Sequence, residues 1–250
     1  MVIVLVLTAA AFGTGASWLG HRLVHQGKAP DPGPAVGTAV GAVASFFIFT
    51  VAFLTVTATN SINTARHDAY VEAGALTDLY LAAGTLPDPA RTDLQRMTRD
   101  YTEGVIVREW PKLREGHTEP RTREAAYALG ARVDQELAGA PAHTATDLHD
   151  AMRAVLAGRR ARNAAASEGV PRILILTLVG TAFLTVLFLV LMGWPRGRRG
   201  SVGIGVVSGL FAFGIWLVMQ LNHPFGAGVH VDPTPIREAL AHMNGVAPLR

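Results

Sequence analysis

Few residues of this 250-residue chain have the types and spacing that catalysis or metal binding requires. His21 and His25 are four residues apart, a spacing that can hold zinc from one helix face, but two ligands make half of a tetrahedral site. Asp147, His149 and Asp150 cluster at a predicted helix start, where Asp147 is better explained as a helix cap than as a catalytic acid. The chain has no cysteine, which excludes thiolate chemistry and disulfides. The sequence therefore predicts no enzyme activity, no cofactor and no metal site.

A different kind of chemistry is indicated by six residues on one face of a predicted helix. They follow one another at steps of three or four residues: Phe46, Phe49, Phe53, Thr57, Asn60 and Thr64. The face is aromatic at first, then polar and uncharged. One interpretation is a pore lining, in which a hydrophobic ring gates by dewetting and hydroxyl and amide dipoles then contact the ion. The other is that the phenylalanines face lipid or neighbouring helices and the polar residues form an ordinary amphipathic exit from the membrane.

The elements that must position this face have the composition of membrane spans. Only 16% of the residues are charged, against roughly 25% in ordinary soluble domains, and 31 of the 41 charged residues lie between positions 59 and 172. Four apolar stretches are long enough to cross a bilayer core of about 30 Å, namely 1–19, 36–58, 173–194 and 202–221. We therefore predict an all-α protein with four transmembrane helices arranged as two hairpins.

The charged block between the second and third spans is predicted to be a helical soluble domain. Apolar residues recur with a helical period in four segments, the first of which presents Tyr70, Ala73 and Leu76, and turns rich in proline and glycine separate the segments. The predicted organisation is residues 1–58 for transmembrane helices 1 and 2, 59–172 for the soluble domain, 173–221 for transmembrane helices 3 and 4, and 222–250 for a C-terminal tail.

Several short motifs resemble those of the bacterial bestrophin-like membrane proteins of unknown function. One group lies in the soluble block: Asp78-Leu79-Tyr80, Leu86-Pro87, Tyr101 and Glu109-Trp110-Pro111-Lys112-Leu113. A second group flanks the last two spans: Arg159, Arg162, Pro171 and Asn222-His223-Pro224-Phe225-Gly226. Asn222 stands where these proteins more often carry Asp. The similarity extends over nearly the whole chain, from about the second span to Pro235.

The resemblance implies a bestrophin-type architecture and a membrane location. Bestrophins are pentameric anion channels with an aromatic and aliphatic neck on the second span, and Phe46, Phe49 and Phe53 occupy a comparable place. Two motifs are expected to have structural roles. The first consists of Glu109, Trp110 and Pro111. The second consists of Asn222, His223, Pro224 and Phe225 and is expected to end the fourth span, because proline cannot continue a helix freely. The expected function is that of an oligomeric, anion-channel-like protein. The alternative is a non-conducting scaffold or envelope-sensing protein that docks a partner through its helical domain.

The expected partners are the lipid bilayer, further copies of the chain and anions. Nucleic acid is excluded, since the net charge is only +3 and the basic residues of the soluble block alternate with acids. The predicted location is the cell membrane, as a multi-pass protein with the soluble domain and both termini in the cytoplasm, as the architectural resemblance implies. Arginines in the two short hairpin loops favour the opposite orientation by the positive-inside rule.

Overall fold

The computed structural model of the chain describes residues 34–167, 169, 171–191, 198–222, 224–226 and 230–245. These residues form helices and turns, and no strand occurs among them, which confirms the all-α prediction. The predicted first span and the histidines His21, His25 and His223 lie outside the described residues.

The helices follow one another with short connections. They are α1 (Pro34–Ala83), α2 (Ala90–Gly104), a π-helical segment (Val105–Glu109), α3 (Trp110–Arg114), α4 (Pro120–Leu137), α5 (Ala142–Ser167), α6 (Arg172–Leu191), α7 (Arg198–Leu221) and α8 (Thr234–Gly245). The third and fourth helical segments predicted for the soluble block correspond to α4 and α5. The second predicted segment is divided into α2, the π-helical segment and α3.

Helix α1 is 50 residues long and joins the predicted second span to the first helix of the soluble block. No proline interrupts it after Pro34, and no charged residue occurs in it before Arg66. Threonine hydroxyls inside the apolar part donate to the carbonyl four residues earlier, as Thr50 does to Phe46 at 2.8 Å and Thr57 to Phe53 at 2.9 Å. These hydrogen bonds satisfy the hydroxyl donors within the helix itself, so the donors need no partner from another chain.

The chain divides into two compact units. An apolar unit takes in the described residues of 1–58 and 170–222, and a polar unit takes in those of 59–169 and 223–250. The described residues after α7, including α8, therefore cluster with the charged block.

The apolar unit is built from the first half of α1 with α6 and α7. Its core contains Phe47, Leu54, Leu178, Ala182, Phe211 and Val218. Gly214 permits this packing, because an added Cβ would lie 3.3 Å from both Phe47 and Val51. Two described helices are long and apolar enough to cross a membrane, the stretch Gly37–Ala83 of α1 and Val202–Leu221 of α7, while the apolar stretch Ile173–Leu189 of α6 is shorter.

The polar unit packs α2 against α4 and α8, and α5 against α3 and α4. Helix α4 begins at Pro120, and the carboxylate of Glu119 caps it by accepting a hydrogen bond from the Arg121 N–H at 3.3 Å. The apolar side of this helix, with Ala126, Leu129 and Val133, is buried.

Two sequence interpretations within the polar unit are wrong. Tyr70 does not begin the buried stripe of α1, since 54% of it is exposed, and the neighbouring Ala69 is fully buried instead. Asp147 is not a helix cap, because α5 begins five residues earlier, at Ala142, which leaves Asp147 beyond the first turn and exposed. The rest of the predicted stripe is correct, since Ala73 and Leu76 are buried.

Candidate functional site

The six residues predicted to share one helix face are all exposed on the single chain. Of the three aromatic rings, Phe46 is 50% exposed, Phe49 68% and Phe53 55%, and Thr57 is also exposed. On the other sides of the same helix Leu54 is fully buried. The three rings thus remain at least half exposed, whereas Phe47, Thr50 and Leu54, each one position further along α1, are buried.

The polar continuation of the face offers neutral hydrogen-bonding groups. Asn60 and Thr64 are exposed in the polar unit. The hydroxyl of Thr57 donates to a backbone carbonyl, so its oxygen faces outward mainly as an acceptor. The side-chain amide of Asn60 can donate two N–H bonds, which makes it the first donor group after the aromatic residues.

A second arrangement of interest is a buried ionic cluster in the polar unit, formed by Glu72, Glu109, Arg159 and Arg162. The Glu109 carboxylate accepts from Arg159 Nη2 at 2.8 Å on Oε1 and from Arg162 Nη2 at 3.0 Å on Oε2. The Glu72 carboxylate accepts from Arg162 Nη1 and from the Tyr101 hydroxyl, the latter at 3.3 Å. Two carboxylates thus meet two guanidinium groups, and the formal charge of the cluster is zero.

The cluster depends on a close approach between α1 and α5. Gly158 lies beside Glu72, and a Cβ added to it would come within 2.8 Å of the Glu72 Cβ and 3.1 Å of its Cα. Contacts of that length do not occur between real side chains, so position 158 requires glycine for steric reasons. The missing side chain lets the two helices bring Glu72 within reach of Arg162.

The π-helical segment explains how Glu109 reaches the same cluster as Tyr101. Eight residues of regular α-helix rotate a side chain by about 80° beyond two full turns, at about 100° per residue. The segment Val105–Glu109 accommodates an extra residue, which offsets that rotation by about 100°. Glu109 and Tyr101 therefore point in similar directions, and both are buried.

Burial dominates the electrostatics of the cluster. Removal from water raises the pKa of Glu72, and the neighbouring Arg162 opposes that rise. Burial also raises the pKa of the Tyr101 hydroxyl, so this group stays protonated and acts as a donor. Burial alone would lower the pKa of Arg162, but Glu72, Tyr101 and Glu109 together more than compensate, so the pKa of Arg162 is raised and the guanidinium stays charged. Arg162 is therefore the fixed positive charge of the cluster, to which the Glu72 carboxylate is bound.

The motif residues from distant parts of the sequence meet beside this cluster. The indole ring of Trp110 packs edge-on against Phe225, with ring centroids 5.4 Å apart, and its N–H donates to the carbonyl of Val231 at 3.3 Å. The guanidinium carbon of Arg162 lies 5.7 Å from the Trp110 ring centroid. Pro224 is also buried. The two family motifs thus form one packed assembly within the polar unit.

The remaining motif residues lie outside this assembly. Asn222 is half-buried at the end of α7, and Pro111 is exposed in a surface cleft of about 690 Å³. In that cleft Lys112 pairs with Glu119 at 3.1 Å, and its hydrogen bond lowers the pKa of the Glu119 carboxyl. Among the described residues no group of three or more histidine, aspartate or glutamate side chains could hold a metal ion.

Sequence reasoning missed Glu72 altogether. The helical spacing of α1 does indicate that Glu72 is buried, because it lies on the same stripe as Ala69, Leu76 and Leu79, all of which are buried. A lone acid on a buried helix stripe requires a partner cation. The partners, Arg159 and Arg162, were noticed only as motif residues.

Helices of this length and apolar character fit membrane spans, so the protein is a helical membrane protein. It belongs to the family of the bestrophin-like domain, whose model matches residues 7–236 and confirms the resemblance found in the sequence.

Solved structures share this fold over nearly the whole chain. A variant of a bacterial bestrophin homologue from Klebsiella pneumoniae is 16% identical with a TM-score of 0.72, and the similarity covers 98% of this chain and 99% of that chain. A second variant of that homologue gives 14% identity and a TM-score of 0.72 with the same coverage. A protein described only as a membrane protein is 15% identical with a TM-score of 0.71, and the similarity covers 98% of this chain and 99% of that chain. None of the curated proteins matches the chain. At these identities the likeness shows the fold alone.

Proposed function

We propose that the protein is a multi-pass protein of the cell membrane that forms homo-oligomers and conducts anions. In this proposal the chain crosses the membrane four times, as two hairpins, and the polar unit and both termini lie in the cytoplasm. The helices α1 of several copies surround one axis, and the face defined by Phe46, Phe49, Phe53, Thr57, Asn60 and Thr64 lines the pathway.

The observation that carries the proposal is the exposure of three consecutive aromatic positions on one face of α1. The face continues without interruption into exposed threonine and asparagine side chains, which supports a pathway with an aromatic neck and a polar exit. A ring of phenylalanines around an axis would exclude water when narrow, and the polar groups beyond it would receive an ion that leaves the ring.

The charge pattern of α1 favours anions over cations. No acidic residue occurs in α1 before Asp68, so the proposed neck and its exit lack the ring of carboxylates that cation pores often use. The Asn60 amide instead offers N–H donors, which anions accept. This neutral lining would bind an anion only weakly at each position, and weak binding lets the anion move on, as conduction requires.

The first test is chloride flux through liposomes that contain the purified protein. Replacing Phe53 by Ala should widen and wet the constriction and so raise the flux above that of the wild type. Ile48→Ala is the matched control, since Ile48 is an equally exposed apolar residue of α1 that lies off the face. Leu54→Ala should instead lower the melting temperature without raising flux, because Leu54 is a fully buried core residue.

Two outcomes would contradict the proposal. One is that the wild type and Phe53→Ala both form stable oligomers and carry no flux under any gradient, which would leave the non-conducting scaffold. The other is that Phe53 faces lipid in a structure of the assembled complex.

The proposed topology has its own test. Reporter fusions placed at position 115, in the polar unit, and at position 198, at the start of α7, should report opposite compartments. If both report the same compartment, the arrangement as two hairpins is wrong, whatever the flux measurements show.

A further inference from the structure

The exposed face of α1 continues beyond Thr64 with the same helical spacing. His67, Val71, Gly74 and Asp78 follow at steps of three, four, three and four residues, and each of them is exposed. At a rise of about 1.5 Å per residue, His67 lies about 4.5 Å beyond Thr64 along the helix, and Asp78 about 16 Å beyond His67. His67 is therefore the first ionisable side chain that follows the neutral part of this face.

The charged side chains next to His67 on α1 are directed away from it. Its sequence neighbours Arg66 and Asp68 carry opposite charges and each lies about 100° away around the helix. Arg66 is directed toward Asn63, to whose side-chain oxygen its Nη1 donates at 3.5 Å, and Asp68 is half-buried. Over the described residues no hydrogen bond, ion pair or ring contact joins His67 to a side chain of α1 or of any other helix.

We infer that His67 determines the charge selectivity of the proposed pathway and makes its anion conduction depend on pH. The inference rests on the proposed function, because only an oligomer brings several copies of His67 around one axis. When neutral, the imidazoles continue the uncharged lining of the exit. When protonated, they form a ring of positive charge where an anion leaves the neck.

The sign of the pH dependence follows from the chemistry of imidazole. Lowering the pH from 8 to 5.5 favours the protonated, positively charged form of an imidazole. Repulsion between like charges opposes having every copy charged at once. One imidazolium about 6 Å from an anion raises the local anion concentration about twofold after screening by physiological salt. Anion flux should therefore rise about two- to fourfold over this pH range.

The experiment measures chloride flux in liposomes at pH 8 and at pH 5.5 for the full-length wild type, His67→Gln and the control His143→Gln. His143 is an exposed histidine near the start of α5 and does not belong to the exposed face of α1. The expected result is a flux that rises at pH 5.5 in the wild type and in His143→Gln, and that stays at its pH 8 value in His67→Gln.

A second measurement uses the absence of cysteine from the chain, so that a single introduced thiol can be modified selectively. At pH 8, His67→Cys treated with a positively charged methanethiosulfonate reagent should conduct more chloride, and with a negatively charged reagent less. The same reagents should not change the flux of His143→Cys. This pair of variants tests the charge itself without relying on titration.

The outcomes separate this inference from the proposal on which it rests. A flux in His67→Gln with the same pH response as the wild type, or a His67→Cys flux that is equal after both reagents, overturns the inference while leaving anion conduction intact. A wild type that carries no flux at either pH overturns the proposed function and this inference with it.

Discussion

Replacing Arg162 by Met is the most direct perturbation of the buried ionic cluster. The Arg162 side chain has no exposed surface, and its guanidinium donates to both Glu72 and Glu109. Methionine fills much of the same volume but leaves two buried carboxylates with only Arg159 as a counter-charge. Removing one partner from a buried ion pair costs about 3–5 kcal/mol of folding stability.

The expected loss can be measured as a melting temperature in detergent. For a chain of this size, 1 kcal/mol corresponds to about 2–4 °C, so Arg162→Met should melt roughly 6–20 °C below the wild type. The fluorescence of Trp110, which lies beside Arg162, is a suitable signal. Arg160→Met is the matched control, because Arg160 is an exposed arginine of the same helix and should lower the melting temperature by little.

A double variant shows whether the loss comes from the pairing itself. In Glu72→Gln combined with Arg162→Met, one of the stranded carboxylates has been removed. The double variant should therefore lose less stability than the sum of the two single losses, with a coupling energy of about 0.5–3 kcal/mol. Additive losses, or equal melting temperatures for Arg162→Met and Arg160→Met, would refute the idea that the cluster is an energetically coupled unit.

The pH dependence of the variant has a definite sign. Burial raises the pKa of Glu72 already in the wild type, and the loss of Arg162 removes the main opposing influence. A carboxyl whose pKa is higher in the folded than in the unfolded state contributes stability below its unfolded pKa and loses it as the pH rises through the folded value. The deficit of Arg162→Met relative to the wild type should therefore be smaller at pH 5 than at pH 8, and a deficit that grows on acidification would contradict this reasoning.

The remaining predictions concern the packing around the cluster and are measured by melting in detergent. Gly158→Ala should lose about 1–3 kcal/mol, because its Cβ would come within 2.8 Å of the Glu72 Cβ, whereas Gly139→Ala, with open space around it, should not be destabilised by crowding. Equal losses would show that helix approach does not limit position 158. Trp110→Phe should lose at least about 1 kcal/mol of folding stability, because the buried carbonyl of Val231 loses the N–H donor that lies 3.3 Å away. Trp216→Phe should lose less, since the buried indole N–H of Trp216 has no partner among the described residues. The opposite order of these two losses would contradict the role of the hydrogen bond.

The sequence was sufficient to predict the features that depend on local pattern. The helical period of residues 125–137 identified α4, and the apolar runs identified α1, α6 and α7. The family was recognisable from short motifs such as Glu109-Trp110-Pro111. Each of these signals is contained in neighbouring residues, so it can be recognised without knowledge of the tertiary structure.

The cluster could not be predicted in the same way, because its pairs join residues far apart in the chain. Arg162 and Glu72 are 90 positions apart, and Arg162 and Glu109 are 53 apart. The π-helical turn that directs Glu109 inward has no clear mark in the sequence Val105–Glu109. Without it, a regular helix would point Glu109 about 80° away from Tyr101. The exposed face of α1 was predictable because its spacing is local.

The physical value of the cluster lies in orientation more than in net stability. Buried ion pairs seldom stabilise a fold more than well-packed apolar side chains of the same size would, because desolvation offsets their attraction. A buried ion pair does require a specific geometry, since each carboxylate must lie within hydrogen-bond distance of a planar guanidinium group. Glu72 can meet that requirement in only one rotation of α1 about its axis. Successive residues of α1 are about 100° apart, so a rotation by one position would turn Glu72 away from Arg162. By binding Glu72, the buried arginine of α5 selects one rotation of the part of α1 that belongs to the polar unit.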